Sequence, residues 1–284
     1  MANPREVLTR PAPPPDLTLR YGTGSDDLAD MRLPSVPDRP LVPFLLLLHG
    51  GFWRAQFDRT HLASLAVALA RAGYAVCTPE FRRTGQPGGG WPGTFDDIAK
   101  IVDSLPQFAH EAAQSAPTGA GLPDPNRIVL AGYSAGGHLA MWAAARHRLS
   151  ATSPWHAPAS PAHLGVVALA PVSDLVMCQQ ENLDQGAADA LLGGPPSTYP
   201  ERYDQTDPSR LIPLGVPVHI VHGTLDERVP CQMSRSYIER AAAAGDDVTF
   251  DELPGYGHFE LVDPLTDTWP TVLAAFQTMA QRPR

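Results

Sequence analysis

The apolar and polar positions of the chain alternate between two kinds of pattern. Short, continuous apolar runs recur, and such runs are typical of strands buried on both faces of a parallel sheet. Between them, apolar residues return every three or four positions, as in amphipathic helices. The predicted strands lie at 44–48, 74–79, 127–133, 165–170, 216–222 and 248–253, and the main predicted helices at 60–72, 135–147, 232–244 and 268–279. Strands that alternate with helices form parallel sheets through right-handed crossovers, so the pattern predicts a doubly wound α/β domain.

Three regions depart from this alternation. Two strands at 17–22 and 28–33 are expected to be antiparallel and to lead into the mostly parallel sheet. A helix is predicted to begin at Thr94 and to break near Pro106, since proline disrupts helix interiors. Residues 172–210 are polar and irregular, and we expect them to form a small cap or lid over the carboxyl ends of the strands. The chain is therefore divided into a Pro-rich arm at 1–16 and a single domain at 17–284, with the cap inserted in it.

Composition narrows the classes of function. The formal net charge is −9 and no basic run occurs, which argues against nucleic acid and anionic membranes as partners. The three cysteines show no CxxC spacing and no His-Glu-x-x-His motif is present, so we expect neither a disulfide framework nor a metal, and no cofactor. With no apolar signal region and no stretch long enough to span a membrane, the expected location is the cytoplasm.

The hexapeptide "GYSAGG" at 132–137 carries the first candidate for chemistry. It contains Gly-x-Ser-x-Gly directly between a predicted strand and a predicted helix. This arrangement is typical of a sharp, strained turn that exposes a serine. The free N–H groups and the positive dipole of the helix N-terminus also point toward Ser134. We therefore predict that Ser134 is a nucleophile; the alternative is an ordinary tight turn.

A nucleophilic serine needs a base, and two later residues fit that requirement. In this kind of fold an acid and then a histidine follow the serine along the chain. Asp226 lies in the loop after a predicted strand, and His258 is the only histidine beyond it. We predict that His258 is the base and that Asp226 orients it. Asp174 also follows a predicted strand and remains an alternative acid, with turn capping as its more ordinary role.

The segment "HGGFW" at 49–53 follows an early apolar strand, where this kind of fold places part of its oxyanion hole. Its glycines allow backbone N–H groups to approach a substrate oxygen. We expect donors from Gly51 and Phe52, together with Ala135 after the nucleophile. Gly50 either contributes a donor or only shapes the turn. His49 is expected to brace the loop.

Two tryptophans are candidates for the substrate pocket. Trp53 ends the "HGGFW" segment, and Trp91 lies in the rigid loop "GGGWPG". Each either lines the pocket or packs to anchor its own loop, and the sequence leaves both alternatives open.

Taken together, "HGGFW", "GYSAGGHLA", "HGTLDERVP" and "GHFELVD" resemble the α/β-hydrolase superfamily, in the branch that includes hormone-sensitive-lipase-like esterases. Those esterases usually carry His-Gly-Gly-Gly, whereas this chain has an aromatic residue and then Trp. That variant, with the stretch "VTFDELPGYGHFELVD", is similar to kynurenine formamidases (arylformamidases). The resemblance implies an α/β-hydrolase fold and acyl-enzyme chemistry on a small ester or an aryl formamide.

Three functions are therefore compared. The first is a serine hydrolase of small carboxylic esters, and the second is an aryl formamide hydrolase acting on substrates like N-formylkynurenine. The third is a ligand receptor that has kept the fold and lost catalysis, which the presence of all three predicted catalytic residues disfavours. The expected partner is a small-molecule substrate, and a homodimer is left open.

Overall fold

The computed structural model describes residues 3–38, 40–116, 119–157 and 163–282, and its centre is a mostly parallel sheet. The strands of this sheet are β1 (Leu17–Arg20), β2 (Leu28–Arg32), β3 (Leu41–Leu48), β4 (Ala75–Pro79), β5 (Leu122–Tyr133), β6 (His163–Leu169), β7 (Val218–Gly223) and β8 (Val248–Leu253), in the order β1-β2-β4-β3-β5-β6-β7-β8. β2 pairs antiparallel with both β1 and β4, and all later pairings are parallel. The predicted fold class and the antiparallel entry are confirmed.

Helices cover both faces of the sheet. They are α1 (Ala63–Arg71), α2 (Gly93–Ala113), α3 (Ala135–Ala144), α4 (Leu175–Gln180), α5 (Ala187–Leu192), α6 (Pro200–Thr206), α7 (Cys231–Ala243) and α8 (Trp269–Ala280). Alternate residues of β3 point to opposite faces, as the two-residue period of a strand requires. Phe44 and Leu46 pack in the layer of α2, α3 and α7, whereas Leu45 and Leu47 pack in the layer of α1 and α8. Because both faces of β3 are buried, the sequence of this strand is one continuous apolar run.

Helix α2 corrects two predictions. It continues through Pro106 to Ala113, and Pro92 rather than Thr94 occupies its N-cap position. The hydroxyl of Thr94 instead donates to the carbonyl of Arg82, with 2.7 Å between the oxygens. The interior proline costs a helix about 3 kcal/mol, but one whole face of α2 is buried in the core, including Pro106 itself. Tertiary packing therefore outweighs the local penalty.

The segment 172–210 is more regular than its pattern indicates. It contains α4, α5 and α6, each only six or seven residues long, and a 3-10 turn at Pro208–Arg210. One or two helical turns are too short to show a periodic pattern, which explains the wrong prediction of irregular structure. Its role as a cap stays a prediction, as does the division of the chain into an arm and one domain.

The Pro-rich arm carries a 3-10 helix at Pro4–Thr9. Val7 is buried in the layer of α1 and α8. The Arg10 guanidinium donates two hydrogen bonds to Asp263, with N–O distances of 2.6 Å each. The arm is thus fixed to the body of the protein by one apolar and one ionic anchor. Within the described residues, no helix combines the length and the apolar character needed to cross a bilayer.

Candidate active site

Ser134 lies in a strained turn between β5 and α3. Its backbone has φ 57° and ψ −121°, a positive-φ conformation rarely adopted by residues other than glycine. The turn is tight because α3 lies directly against β3: a Cβ on Gly136 would lie 2.1 Å from the carbonyl oxygen of Leu48. The "GYSAGG" segment therefore forms the strand-turn-helix expected from its pattern.

A hydrogen bond joins Asp226, after β7, to His258, after β8. His258 Nδ1 lies 2.5 Å from Asp226 Oδ2, and the imidazole packs on Tyr133 with 4.7 Å between ring centroids. The other carboxylate oxygen accepts the backbone N–H groups of Arg228 and Val229, at 2.8 Å each. Since Nδ1 faces a carboxylate, it donates its proton there and leaves the lone pair of the neutral ring on Nε2.

A second histidine, His222, also holds the carboxylate, and the sequence analysis did not identify it. Its Nε2 lies 3.1 Å from Asp226 Oδ2 and 3.0 Å from the carbonyl oxygen of Val229, so this nitrogen must carry a proton. Its Nδ1 then accepts the Ser234 hydroxyl at 2.7 Å. His222 is fully buried. The available signal was a histidine at the carboxyl end of β7, four residues before Asp226.

Burial and hydrogen bonding set the protonation of the Asp226–His258 pair. Burial lowers the pKa of His258, and the hydrogen bond and the charge of Asp226 offset this only in part. Burial opposes the charged form of Asp226 as well, but hydrogen bonds from His222 and His258 outweigh it and hold the pKa of Asp226 well below its usual range. At neutral pH the pair is a carboxylate beside a neutral imidazole, the state that a general base requires.

The "HGGFW" loop brings bare backbone next to the serine. A Cβ on Gly50 would lie 2.8 Å from the carbonyl oxygen of Tyr133, so a side chain there has no room. The N–H groups of Gly51 and Phe52 donate to no acceptor among the described residues. The Ala135 N–H, at the start of α3, likewise has no acceptor within the described part of the chain. These free donors are what an oxyanion site needs.

Strain in this loop is balanced by a buried clamp. Phe52 and Trp53 have φ of 48° and 57°, which costs about 1–3 kcal/mol each. The Trp53 indole N–H donates to His138 Nδ1 at 3.2 Å, and His138 Nε2 donates to the carbonyl of Thr206 at 2.9 Å. Burial lowers the pKa of His138 to about 4, so the ring is neutral and can accept at one nitrogen while donating at the other. The clamp ties the loop to α3 and to the end of α6.

A small pocket, with a volume of about 40 Å³, opens at Ser134. The predicted residues Ser134, His258, Gly50, Gly51 and Phe52 all line it, and Asp226 lies behind His258. The arm reaches the same place, because Arg5 and Leu8 form part of the wall. The sequence did not predict this position of the arm, because a proline-rich stretch has no pattern that indicates a contact with distant residues.

The remaining predicted residues lie away from this pocket wall. Trp53 is 1% exposed within the clamp, and Trp91 packs edge-on against Trp155 with 4.8 Å between ring centroids. Of the two alternatives for these tryptophans, the structure shows the second: each side chain packs against its neighbours and anchors its own loop. Ala135 is also buried and is not part of the wall. Asp174 caps α4 by accepting the Met177 N–H at 2.8 Å.

His49 lies behind the loop and forms the expected brace. Its Nε2 is 2.8 Å from Glu80 Oε1, and its ring stacks on Phe81 with 4.4 Å between centroids. The side chain is 1% exposed and therefore supports the loop from inside the protein.

Comparison with known proteins places the chain in a family. A family model described as BD-FAE matches residues 29–240, which are 212 of the 284 residues. The chain belongs to the BD-FAE family. The matched part of this BD-FAE member contains the "HGGFW" loop, Ser134 and Asp226, whereas His258 and the N-terminal arm lie outside it.

The individual proteins to which this BD-FAE member is similar share 20–27% of its residues. It is 27% identical over 278 residues to Esterase LipC of Mycobacterium tuberculosis (strain ATCC 25618 / H37Rv), covering 93% of this chain but only 65% of LipC. Esterase B from Lactobacillus rhamnosis (HN001) has a similar structure, with a TM-score of 0.76, 20% identity, and coverage of 98% and 90% of the two chains. A truncated carbohydrate esterase from gut microbiota has a TM-score of 0.75 at 20% identity, covering 93% and 94%. These structural likenesses support the α/β-hydrolase fold of the BD-FAE member.

Proposed function

We propose that the protein is a serine hydrolase that cleaves small carboxylic esters through an acyl-enzyme intermediate. The observation that carries this proposal is the convergence of three groups at one pocket. Ser134 and His258 share its wall, Asp226 binds the distal nitrogen of His258, and unpaired backbone N–H groups lie beside the serine. Nucleophile, oriented base and oxyanion donors are the parts that acyl transfer requires.

The first chemical step follows from the protonation states. His258 Nε2 carries the lone pair and takes the proton of the Ser134 hydroxyl as its oxygen attacks the carbonyl carbon of the ester. The resulting imidazolium is stabilised by Asp226, which stays a carboxylate because four hydrogen bonds converge on it. His258 then returns the proton to the leaving alcohol, and water repeats the sequence on the acyl-enzyme.

The negative charge of the tetrahedral intermediate requires donors that are already in place. The N–H groups of Gly51, Phe52 and Ala135 would supply them, with Gly50 keeping the loop close to the serine. One such donor is worth about 10²–10³ in kcat. The clamp from Trp53 to His138 holds the loop in its strained form before substrate binds, so the donors need no reorganisation.

Two further observations favour small esters. The pocket volume of about 40 Å³ at the serine suits a short acyl group. The relatives named above carry the word esterase in their names. The chain spans only part of LipC, so the ester activity rests on the site together with these names.

A second candidate, aryl formamide hydrolysis, is favoured by one observation. Phe52 takes the place of the third glycine of the esterase motif and lies in the wall of the pocket, where it could contact an aromatic leaving group. The formyl group is also the smallest acyl group and suits the small pocket. The catalytic steps would be the same.

A paired substrate panel tests the proposed function. We expect the protein to hydrolyse 4-nitrophenyl acetate faster than 4-nitrophenyl hexanoate, and to prefer the acetate over 4-nitroformanilide in kcat/KM. A larger kcat/KM for the formamide would replace the first candidate with the second. Hydrolysis of none of these compounds above the background of Ser134→Ala would contradict both and favour a non-catalytic receptor.

The pH dependence provides an independent prediction. His258 must be neutral to act as base, so kcat/KM for 4-nitrophenyl acetate should rise with pH as this group loses its proton. Because burial lowers the pKa of His258, the midpoint should lie below the usual histidine value of about 6.5. Steady-state rates between pH 4.5 and 8 measure it. A midpoint at or above 6.5 would show that a different group, or a solvated His258, controls the rate.

A further inference from the structure

The pocket at Ser134 carries fixed charge of only one sign. Among the described residues that line it, Arg5 and Arg228 are the only side chains with a fixed charge at neutral pH, and no carboxylate is part of the wall. His61 also lines it, but burial lowers its pKa and keeps it neutral. The whole chain has a net charge of −9, so this positive wall is a local reversal of the overall charge.

Each of the two guanidinium groups lies over an aromatic ring next to a residue of the site. The Arg228 guanidinium lies over the ring of Phe52, which follows the oxyanion glycines, with 5.5 Å to the ring centroid. The Arg5 guanidinium lies over the ring of Phe259, which follows the base, again with 5.5 Å to the centroid. Stacking on an aromatic face holds a guanidinium in place while its N–H groups remain available at its edge.

The Arg228 side chain and the segment that carries Arg5 are each anchored. Arg228 donates to Asp184 at 2.7 Å, and Asp184 also pairs with Arg54, so this group of three keeps a net charge of +1. Arg5 lies on the arm, which is anchored by the buried Val7 and by the Arg10–Asp263 pair. Among the described residues, no carboxylate lies within 4 Å of the Arg5 guanidinium.

The negative charges near the pocket are not part of its wall. Asp226 lies behind His258 and already accepts four hydrogen bonds. Glu227 and Glu260 line an adjoining outer hollow together with Arg5 and Arg228, and neither forms an ion pair with these arginines among the described side chains. Glu227 is exposed to solvent, where its charge is screened. An anion that enters the pocket from outside would therefore meet two guanidinium groups whose donors are not fully used.

We propose that the site takes substrates that carry a carboxylate beside the scissile ester, with Arg5 and Arg228 as the residues that recognise it. This inference rests on the proposed function and specifies its substrate class. The short acyl space at Ser134 and the two arginines at its mouth fit an ester or formamide whose reacting group is small and whose other end is anionic. Arginine suits this task because its planar fork matches a carboxylate.

Two matched substrate pairs test the proposal and distinguish where the carboxylate lies. In the first pair, 4-acetoxybenzoate and methyl 4-acetoxybenzoate differ in a carboxylate on the leaving group. In the second, monomethyl succinate and methyl butyrate differ in a carboxylate on the acyl group. Each kcat/KM is divided by the alkaline hydrolysis rate of the same ester to remove intrinsic reactivity. We expect the anionic member of at least one pair to be preferred, and the preference to fall with added NaCl.

Variants of the two arginines then identify the recognising groups. Arg5→Gln and Arg228→Gln should each lower the anionic-to-neutral ratio by about 10-fold, as expected for loss of a charged hydrogen bond. The loss should be expressed mainly in KM. Arg148→Gln, an exposed arginine on another part of the surface, should leave the ratio unchanged. Arg5 lies on an exposed turn, so its variant tests the proposal even if Arg228→Gln disturbs the Asp184 group.

The outcomes separate this inference from the function on which it rests. If the neutral esters are hydrolysed but neither pair shows a preference for its anionic member, the inference is wrong and the proposed function stands. The inference is also wrong if the ratio is the same in the wild type and both arginine variants. If no ester of either pair is hydrolysed, both the inference and the proposed function fail.

Discussion

Replacing Ser134 by alanine is expected to lower kcat for 4-nitrophenyl acetate by about a millionfold, to the residual rate that binding and oxyanion donors provide. The reason is geometric: the strained turn presents this one hydroxyl to the pocket that His258 shares. The loss should occur in kcat with the fold intact, because alanine removes one oxygen and keeps the backbone. Stopped-assay rates at high protein concentration measure kcat, and circular dichroism of the variant shows whether the fold is intact.

A matched control separates the nucleophile from a merely buried serine. Ser173 is also buried, and its hydroxyl donates to the carbonyl of Met233 at 3.3 Å, away from the pocket wall. Ser173→Ala should retain turnover. Equal losses in Ser134→Ala and Ser173→Ala would indicate damage to the fold, and full activity of Ser134→Ala would exclude the proposed mechanism.

Asp226→Asn is expected to lower kcat by about 10⁴-fold. The amide can donate as well as accept, so it no longer requires a proton on His258 Nδ1 and permits the tautomer that protonates Nε2. It also cannot stabilise the imidazolium that forms during the reaction. The effect should be larger than that of one ordinary hydrogen bond, because His222, Arg228 and Val229 all donate to the same carboxylate.

The pH profile distinguishes this electrostatic role from a loss of structure. Removing the negative charge removes the influence that raises the pKa of His258. Burial and the charge of Arg228, which both lower this pKa, are then unopposed, and the midpoint of the acid limb should move to lower pH. Asp251→Asn is the matched control. Asp251 lies on β8, and its Oδ2 is 2.7 Å from Nε2 of His219 on β7, outside the pocket. An Asp226→Asn variant with the wild-type rate and midpoint would show that a different acid orients the base.

Much of the framework could be predicted because it depends on local pattern. The buried strands are continuous apolar runs, and the serine turn depends on glycines that permit contact between α3 and β3. The order of Ser134, Asp226 and His258 follows from strand connectivity, since each residue comes directly after a strand of the parallel part of the sheet. These features can be predicted because they depend only on residues that are near each other in sequence or that lie in or directly after successive strands.

The features that were missed depend on contacts between distant segments. The arm reaches the pocket through Val7 and through Arg10, whose partner Asp263 lies 253 residues later. No periodicity in a short proline-rich stretch can indicate such a contact. Similarly, the chain order of serine, acid and histidine places the base after Asp226, and it gives no indication that a histidine on the preceding strand also holds the carboxylate.

The direction of the Trp53 side chain could not be predicted from the sequence either. Sequence position puts Trp53 next to the oxyanion glycines, but left-handed backbone at Phe52 and Trp53 turns the indole toward His138 and away from the pocket wall. A sequence pattern cannot give the direction of a side chain in a strained loop. The direction of the tryptophan side chains was therefore less predictable than the positions of Ser134, Asp226 and His258 after their strands.

The most direct test of the central claim, that His258 activates Ser134, is the rate and position of labelling by a fluorophosphonate probe. The modified peptide is identified by mass spectrometry. We expect a single adduct on Ser134, formed with the same low pH midpoint as hydrolysis, and lost by several orders of magnitude in His258→Gln although Ser134 is still present. Labelling at a different residue, no labelling of the folded protein, or equal labelling rates in the wild type and His258→Gln would contradict the claim.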